Sequence, residues 1–286
     1  MKDYEPCASA NYQRMVHHSF ELVATCLKDY VSETKDSRVQ NSWVEAYFQI
    51  LTKESGLQVN AVANQALGVG QLTPIYRKDF KKESLASVRA HLASSESTFC
   101  RSLGDFALSE RRLVGLDRTC HLINVDSGPL VGFLVGFSHL RHYRRQVLAT
   151  LNRQSDLLTA LSASDRHRLE RSLVMISYNA GFSGLTEPLE YTLRQYGSRK
   201  EKVTNVDRFV DDVIGNLRVR KDRSVFTYAN PKWTILPDAS QSARTREMVN
   251  YFGNIKRRYD QVLEKARELQ QEQFPDEAPL RSCRLR

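Results

Sequence analysis

The chain has 286 residues, which is enough for one large domain or two small ones. Hydrophobic residues at 41% and charged residues at 26% are typical of an ordinary soluble globular protein, and no internal repeat or low-complexity tract is present. The formal net charge of +9 predicts an anionic partner, such as nucleic acid, a membrane surface or a cell wall, although solubility alone explains the charge equally well.

Several classes of protein lack their sequence signals here. No nucleic-acid motif and no zinc-finger spacing occurs, so we expect no nucleic-acid partner. The longest apolar run, Pro129 to Phe137, is too short for a membrane span, which needs about 20 residues. Met1 to Tyr4 lacks a basic start followed by an apolar run, so no signal peptide is visible. Strand signals are scarce, which predicts a mainly α fold with little or no β-sheet.

Helical spacing of apolar residues predicts two helices in the N-terminal part of the chain. The first covers Met15 to Val31 and is followed by a charged connector from Glu33 to Val39. The second covers Ser42 to Glu54 and begins with Ser42 and Glu45, the S-x-x-E pattern of a capping box.

Glu54 lies at the end of the apolar face of the second predicted helix. Tyr47, Ile50, Leu51 and Glu54 follow the i, i+3, i+4, i+7 spacing of one helix face. Loss of hydration on such a face raises the pKa of a carboxyl group, and a protonated carboxyl near neutral pH can act as a general acid. The simpler alternative is a surface residue in the last turn of an ordinary helix, and the spacing alone favours it.

A glycine-rich stretch follows, from Gly68 to Gln71, with Pro74 shortly after it. Gly68 and Gly70 lack a Cβ, so they permit close approach of the backbone to a ligand or to another backbone. Gln71 carries a donor and an acceptor that suit sugar hydroxyls and amides. On its own the stretch also fits a plain turn between helices.

Helical patterns return after Ser127. We predict helices that begin at Pro129, near Ser164 or Asp165, at Leu189 and after a cap at Thr204, and a long last helix from about Ala243 to Gln271. The helix that begins near Ser164 ends in Tyr178-Asn179-Ala180-Gly181, where Gly181 is a natural helix stop.

Three motifs in this order resemble the signatures of the soluble lytic transglycosylases, a family with a goose-lysozyme-like fold. The first motif combines Glu54-Ser55, Leu57, Ala61, Gly68-Val69-Gly70-Gln71 and Pro74. The second is Tyr178-Asn179-Ala180-Gly181, and the third is Glu247 with Tyr251 four residues later. One such match is a weak signal, whereas three in the family's order are strong.

The resemblance implies a lysozyme-like fold and cleavage of peptidoglycan glycan strands at the β-1,4 bond between N-acetylmuramic acid and N-acetylglucosamine. Glu54 is the implied catalytic acid, which protonates the leaving oxygen and then takes the proton of the muramic C6 hydroxyl as that hydroxyl attacks C1. The product is a 1,6-anhydro sugar, formed without water. The implied substrate-binding residues are Ser55, Gln71, Tyr178, Asn179 and Tyr251, with Gly68, Gly70 and Glu247 in supporting roles.

Departures from the family pattern affect the predicted substrate. The first motif is one residue shorter than in common relatives, and Ala63 and Asn64 stand nearest to where relatives often place a substrate-contacting Ser. Thr73 replaces a frequent Met. We therefore expect activity on modified glycan, including deacetylated glycan.

Other readings of the same residues stay open. Hydrolysis by a muramidase needs only a water molecule in the right position. The carboxylate of Asp79, Asp105, Asp117 or Asp126 can position that water. A wall-binding or conjugation-associated protein with weak catalysis is a second alternative, against which the presence of Glu54 argues. A basic nucleic-acid binder is a more remote one.

The interval between Gln71 and Tyr178 is longer than in related enzymes, and we interpret residues 78–126 as an insertion that forms a lid, a wall-recognition element or a surface decoration. Of the five cysteines, Cys100 and Cys120 bracket a polar segment of it and are the candidates for a disulfide in an oxidising compartment. Five free thiols in a cytosolic protein are the alternative.

The expected organisation is a single lysozyme-like domain over residues 1–286. It has an N-terminal helical extension at 1–40, the insertion at 78–126 and a basic tail at 272–286. A wall enzyme works in the periplasm or outside the cell, so export of this chain is expected to use a removed signal or another route. We predict no cofactor, no metal and no membrane span, peptidoglycan as the partner, and a monomer, although the sequence does not determine the oligomeric state.

Overall fold

The computed structural model describes residues 10–55, 62–63, 66–109, 128–180, 182–216, 218–219 and 226–227. This part of the chain is mainly helical, which confirms the predicted mainly α class. Its helices are α1 (Ala10–Ser32), α2 (Ser37–Ser55), α3 (Pro74–Asp79), α4 (Leu85–Ala93), α5 (Thr98–Ala107), α6 (Gly128–Asn152), α7 (Ala163–Ala180), α8 (Phe182–Ser198) and α9 (Val206–Gly215). Strand β1 (Val62–Ala63) pairs antiparallel with β2 (Ala66–Leu67), and β3 (Arg218–Val219) with β4 (Phe226–Thr227). No helix described is both long and apolar enough to cross a membrane.

The described residues form two compact units, one up to Arg141 and the other from His142 onward. An aromatic cluster lies in the core of the first unit. The ring of Phe20 on α1 is 5.0 Å from that of Phe48 on α2 and 5.3 Å from that of Phe133 on α6. Because burying an aromatic side chain stabilises a protein by about 1.5–3 kcal/mol, the cluster holds these three helices together.

The start of α2 differs from the prediction. The helix begins at Ser37, and the carboxylate of Asp36 caps it by accepting a hydrogen bond of 2.8 Å from the backbone N–H of Arg38. Ser42 lies inside the helix, where its hydroxyl donates to the carbonyl of Val39 over 2.8 Å. The predicted capping box is therefore wrong, because an earlier side chain already satisfies the unpaired N–H groups of the first turn.

The part of the predicted insertion that is described is helical. It contains the end of α3, a π-helical turn (Phe80–Ser84), α4 and α5, and α4 packs on both α1 and α5. Cys100 on α5 forms a disulfide with Cys26 on α1, with a Cα–Cα distance of 5.4 Å. The predicted pairing of Cys100 with Cys120 is wrong for this reason, and Cys120 lies outside the described residues. Both bonded cysteines are buried, and they lie on helices that are distant in sequence. The tertiary packing of these helices therefore determines which cysteines form the disulfide.

Polar contacts reinforce the attachment of α4 to α1 and α6. The guanidinium of Arg141 on α6 lies 4.0 Å from the ring centroid of Tyr30, forms an ion pair of 2.9 Å with Glu33, and donates a 2.7 Å hydrogen bond to the Ser87 hydroxyl on α4. His91 Nε2 lies 3.0 Å from the carbonyl oxygen of Cys26, beside the disulfide. The helices of the insertion are therefore anchored to the first unit.

Helix boundaries in the second unit also differ from the prediction. Helix α8 begins at Phe182 rather than at Leu189 and continues through Pro188. Proline inside a helix removes one N–H donor, which is why the sequence pattern indicated a shorter helix. Asn205 rather than Thr204 caps α9, because the Asn205 side chain accepts a hydrogen bond of 3.0 Å from the first turn.

Two buried polar pairs connect elements of the second unit. The Arg144 guanidinium on α6 forms an ion pair with Glu170 on α7, and both side chains are largely buried. The hydroxyl of Tyr196 on α8 donates a hydrogen bond of 2.7 Å to Asp212 on α9. Burial, together with the hydrogen bond to Asp212 and the negative charge of that residue, raises the pKa of Tyr196 to about 12.

Candidate active site

Glu54 lies in the last turn of α2 and is partly buried. Tyr47, Ile50 and Leu51, which precede it on the same helix face, are fully buried. The predicted apolar face of this helix is therefore confirmed, with Glu54 at the end of that face. A carboxyl group there is within reach of both the protein interior and the solvent.

Ser55 connects the end of α2 to the glycine-rich stretch. Its side chain is fully buried, and its Oγ lies 2.8 Å from the carbonyl oxygen of Val69 and 3.1 Å from that of Leu51. The hydroxyl donates to a carbonyl inside the protein and so holds the end of α2, where Glu54 lies, against the glycine-rich stretch. Although it lies next to the candidate acid, the observed contacts of Ser55 are those of a positioning residue.

Gly68 and Gln71 form the two ends of a tight turn. Gly68 has a φ of 72°, a conformation that glycine adopts without steric cost. Its carbonyl accepts hydrogen bonds from both the backbone N–H of Gln71, at 3.0 Å, and the side-chain Nε2 of Gln71, at 2.9 Å. The Gln71 amide therefore stabilises the turn from within, and the side chain is 7% exposed.

Gln71 itself has a left-handed backbone conformation, with a φ of 47°. Such a conformation costs a residue other than glycine about 1–3 kcal/mol and persists only where the surroundings enforce it. Residues of this kind are concentrated at functional sites. The backbone at Gln71 is thus consistent with a turn built to present a particular geometry.

The turn packs on glycines of α6 that the sequence interpretation missed. A Cβ on Gly70 would lie 3.4 Å from the carbonyl oxygen of Gly132, and a Cβ on Gly132 would lie 3.3 Å from a methyl of Val69. One helical turn further, a Cβ on Gly136 would lie 1.5 Å from the hydroxyl oxygen of Tyr47, so only glycine fits there. Glycine at every fourth position of an apolar helix is the sequence signal that indicates this close packing.

The exit from the turn is fixed by the start of α3. Thr73 caps that helix by accepting a hydrogen bond of 3.3 Å from the backbone N–H of Tyr76, and Pro74 occupies the first helical position, where no N–H is needed. The buried His139 on α6 places Nε2 2.9 Å from the carbonyl oxygen of Tyr76. Thr73, a departure from the family pattern, therefore has a structural role as a helix cap.

The other predicted site residues belong to the second and third motifs. Tyr178, which is 4% exposed, and Asn179 occupy the last turn of α7 in the second unit. Glu247 and Tyr251 fall outside the described residues. The described residues of the first motif, Glu54-Ser55 and Gly68 to Pro74, thus lie within one unit.

Nowhere in the described ranges do three or more His, Cys, Asp or Glu side chains form a group that could hold a metal ion. In comparisons with known proteins, no family model, no curated protein and no solved structure matches the chain. Its function is therefore inferred from its own residues.

Proposed function

We propose that this protein cleaves the glycan strands of peptidoglycan at the β-1,4 bond between N-acetylmuramic acid and N-acetylglucosamine, as a lytic transglycosylase of lysozyme-like fold. The observation that carries the proposal is the joint between Glu54 and the glycine-rich turn. Ser55, the residue after Glu54, donates a hydrogen bond to Val69, so the last turn of α2, which carries the partly buried Glu54, is joined to the glycine-rich turn. General acids in enzymes need this combination of partial burial and fixed position.

The chemistry assigned to Glu54 uses one carboxyl group twice. The protonated acid donates its proton to the glycosidic oxygen as the bond from C1 to that oxygen breaks. The carboxylate that results takes the proton of the muramic C6 hydroxyl, and the C6 oxygen forms the new bond to C1. The acid is thereby restored, the N-acetylglucosamine end leaves with a free hydroxyl, and the muramic end closes as a 1,6-anhydro ring.

The strained turn supports this assignment. Gln71 has a positive φ, as do Glu33 and Lys200 just after the ends of α1 and α8, and such a conformation opposes part of the free energy of folding. Gln71 differs from those two residues because it lies in the turn that is joined to the end of α2 through Val69. Gly70 and Gly132 let the turn lie close to α6, because a Cβ on Gly70 would lie 3.4 Å from the carbonyl oxygen of Gly132 and a Cβ on Gly132 would lie 3.3 Å from a methyl of Val69. The roles of Tyr178, Asn179 and Tyr251 in sugar binding, and of Glu247 in support, rest on the sequence resemblance alone.

The disulfide supports a location outside the cytoplasm. Cys26 and Cys100 are bonded, and such bonds persist in the periplasm and in secreted proteins but are rare in the reducing cytosol. The net charge of +9 suits attraction to the carboxylates of a bacterial wall. We therefore propose a periplasmic or secreted enzyme.

Digestion of purified peptidoglycan with mass analysis of the soluble products tests the proposal. We expect fragments with anhydromuramic ends, each lighter by one water than the corresponding hydrolysis product. Fragments with reducing muramic ends would instead show hydrolysis, which is the reaction of a muramidase. The folded and oxidised protein is tested on both acetylated and deacetylated wall. If it releases no fragments from either, the enzyme assignment is removed and a wall-binding protein is the remaining alternative.

A further inference from the structure

A cleft of about 480 Å³ lies between α4 and α5, within the first unit. Leu92, Ala93 and Leu108 give it apolar lining, and Arg89, Arg101 and Asp105 bring charged groups to it. Gly104 allows the two helices to approach beside the cleft, because a Cβ there would lie 3.0 Å from the Cβ of Leu92. The cleft is therefore bounded by two closely packed helices and by Leu108 and Ser109, which follow the end of α5.

Both arginines of the cleft are held in place by the ends of the helices. Arg89 donates a hydrogen bond of 2.7 Å to the carbonyl oxygen of Leu108. Arg101 donates to the carbonyls of Ser95 and Glu96, and its Nη2 lies 3.1 Å from the hydroxyl of Thr98. These contacts orient each exposed guanidinium through neutral acceptors, and Asp105 is the carboxylate that lies in the same cleft.

Among the residues that the structure describes, neither arginine forms an ion pair. A guanidinium that is already oriented binds a carboxylate with little further loss of conformational freedom. Asp105 is an exposed carboxylate in the same cleft, which makes the site unfavourable for a doubly charged phosphate but able to take an ammonium group. The lining thus suits a ligand with an excess of carboxylates, one amine and short apolar parts.

We propose that the cleft between α4 and α5 binds the peptide part of peptidoglycan, with Arg89 and Arg101 on its carboxylates and Asp105 on its free amine. This inference rests on the proposed function, because that function supplies a substrate in which short peptides with carboxylates and an amine are attached to the glycan. The helices of the insertion then recognise the peptides of the wall, while the site at Glu54 acts on the sugars.

Titration calorimetry with a synthetic wall stem peptide, free of sugar and with its N-terminal amine acetylated as a substitute for the link to muramic acid, tests the proposal on the oxidised full chain. We expect saturable binding that weakens about tenfold to a hundredfold in Arg101→Gln and in Arg89→Gln, because each change removes a charged hydrogen bond. Arg166→Gln removes the same charge from an exposed position on α7 and should bind like the wild type. Loss of the contact with Leu108 can lower the melting temperature of Arg89→Gln. In that case the peptide affinity of Arg101→Gln is the one compared with that of the wild type.

Modified peptides separate the roles of the charged groups. Amidation of the carboxylates should abolish binding, and acetylation of the amine should weaken it in the wild type but not in Asp105→Asn. Absence of binding to the wild type, equal binding by Arg101→Gln, or tighter binding of inorganic phosphate than of the peptide would each overturn the inference.

The test is independent of catalysis because the peptide contains no glycosidic bond. Glycan cleavage without peptide binding removes the inference and leaves the proposed function standing. Peptide binding without glycan cleavage would support the peptide site and would remove the proposed catalytic function.

Discussion

The hydroxyl of Ser55 donates a hydrogen bond of 2.8 Å to the carbonyl oxygen of Val69, and this bond joins the last turn of α2 to the turn that contains Gln71. Glu54 precedes Ser55, so the bond also holds the backbone of the helical turn that carries Glu54. The first three predictions concern this joint and its support by α6.

Replacing Ser55 by alanine should lower the free energy of unfolding by about 1–3 kcal/mol, because the buried carbonyl of Val69 loses its donor. Urea unfolding measures the change. Ser94→Ala removes a hydroxyl from an exposed position, where it donates to His91 over 2.9 Å, and should stay within about 0.5 kcal/mol of the wild type. Equal losses in the two variants would mean that the contact with Val69 does not stabilise the joint.

Glu54→Gln should lower glycan cleavage by about 10²–10⁴-fold, since it removes the transferable proton but keeps the side-chain volume. Turnover of purified peptidoglycan measures this, with melting curves to show that the variant is folded. Glu45→Gln makes the same change on an exposed position of α2 and should retain activity. Glu247→Gln should lose less than Glu54→Gln. Near-normal turnover by Glu54→Gln would assign the acid to another residue.

Gly136→Ala should destabilise the protein by about 3 kcal/mol, because the new methyl group would lie 1.5 Å from the Tyr47 hydroxyl oxygen and one of the two must move. Gly197→Ala is the matched control. No atom lies within 4 Å of a Cβ at Gly197, near the end of α8, so alanine there should stabilise by up to about 1 kcal/mol through helix propensity. Thermal unfolding of both variants should give shifts of opposite sign.

Loss of the bond between Cys26 and Cys100 should destabilise the protein by about 4 kcal/mol, because their separation of 74 residues makes the closed loop long. Unfolding of Cys26→Ala and Cys100→Ala measures the loss. Peptide mapping without reduction should recover the peptides of Cys26 and Cys100 joined, and Cys120→Ala should leave them joined. A linked Cys100–Cys120 peptide would contradict the observed pairing.

The burial of Tyr196, together with its hydrogen bond to Asp212, should make the stability of the protein fall at high pH. The pKa of Tyr196 is about 12 in the folded protein, whereas the ordinary value for a tyrosine, which applies to the unfolded chain, is 10.0. Between these two pH values the unfolded chain loses a proton that the folded chain keeps. The contribution is complete below pH 10 and declines as the pH rises towards 12. Urea unfolding of the wild type against Tyr196→Phe should show this slope only in the wild type. Equal slopes would contradict it.

Apolar periodicity alone determined the helical class and the buried face of α2. Tyr47, Ile50 and Leu51 had to be buried if the segment was helical, because three- and four-residue spacings fall on one side of a helix. The residues of α9 follow the same rule, and Val206, Phe209 and Val213 are buried. Such patterns are local, so one sequence is enough to detect them.

Only the tertiary structure decided which distant groups meet. The sequence placed Cys100 closer to Cys120 than to Cys26, yet the packing of α5 on α1 brought Cys26 to it. Local spacing likewise did not predict that Ser55 would donate to Val69, or that Gly136 would face Tyr47. These contacts depend on how separate helices pack, and packing minimises exposed apolar area over the whole chain rather than within any one segment.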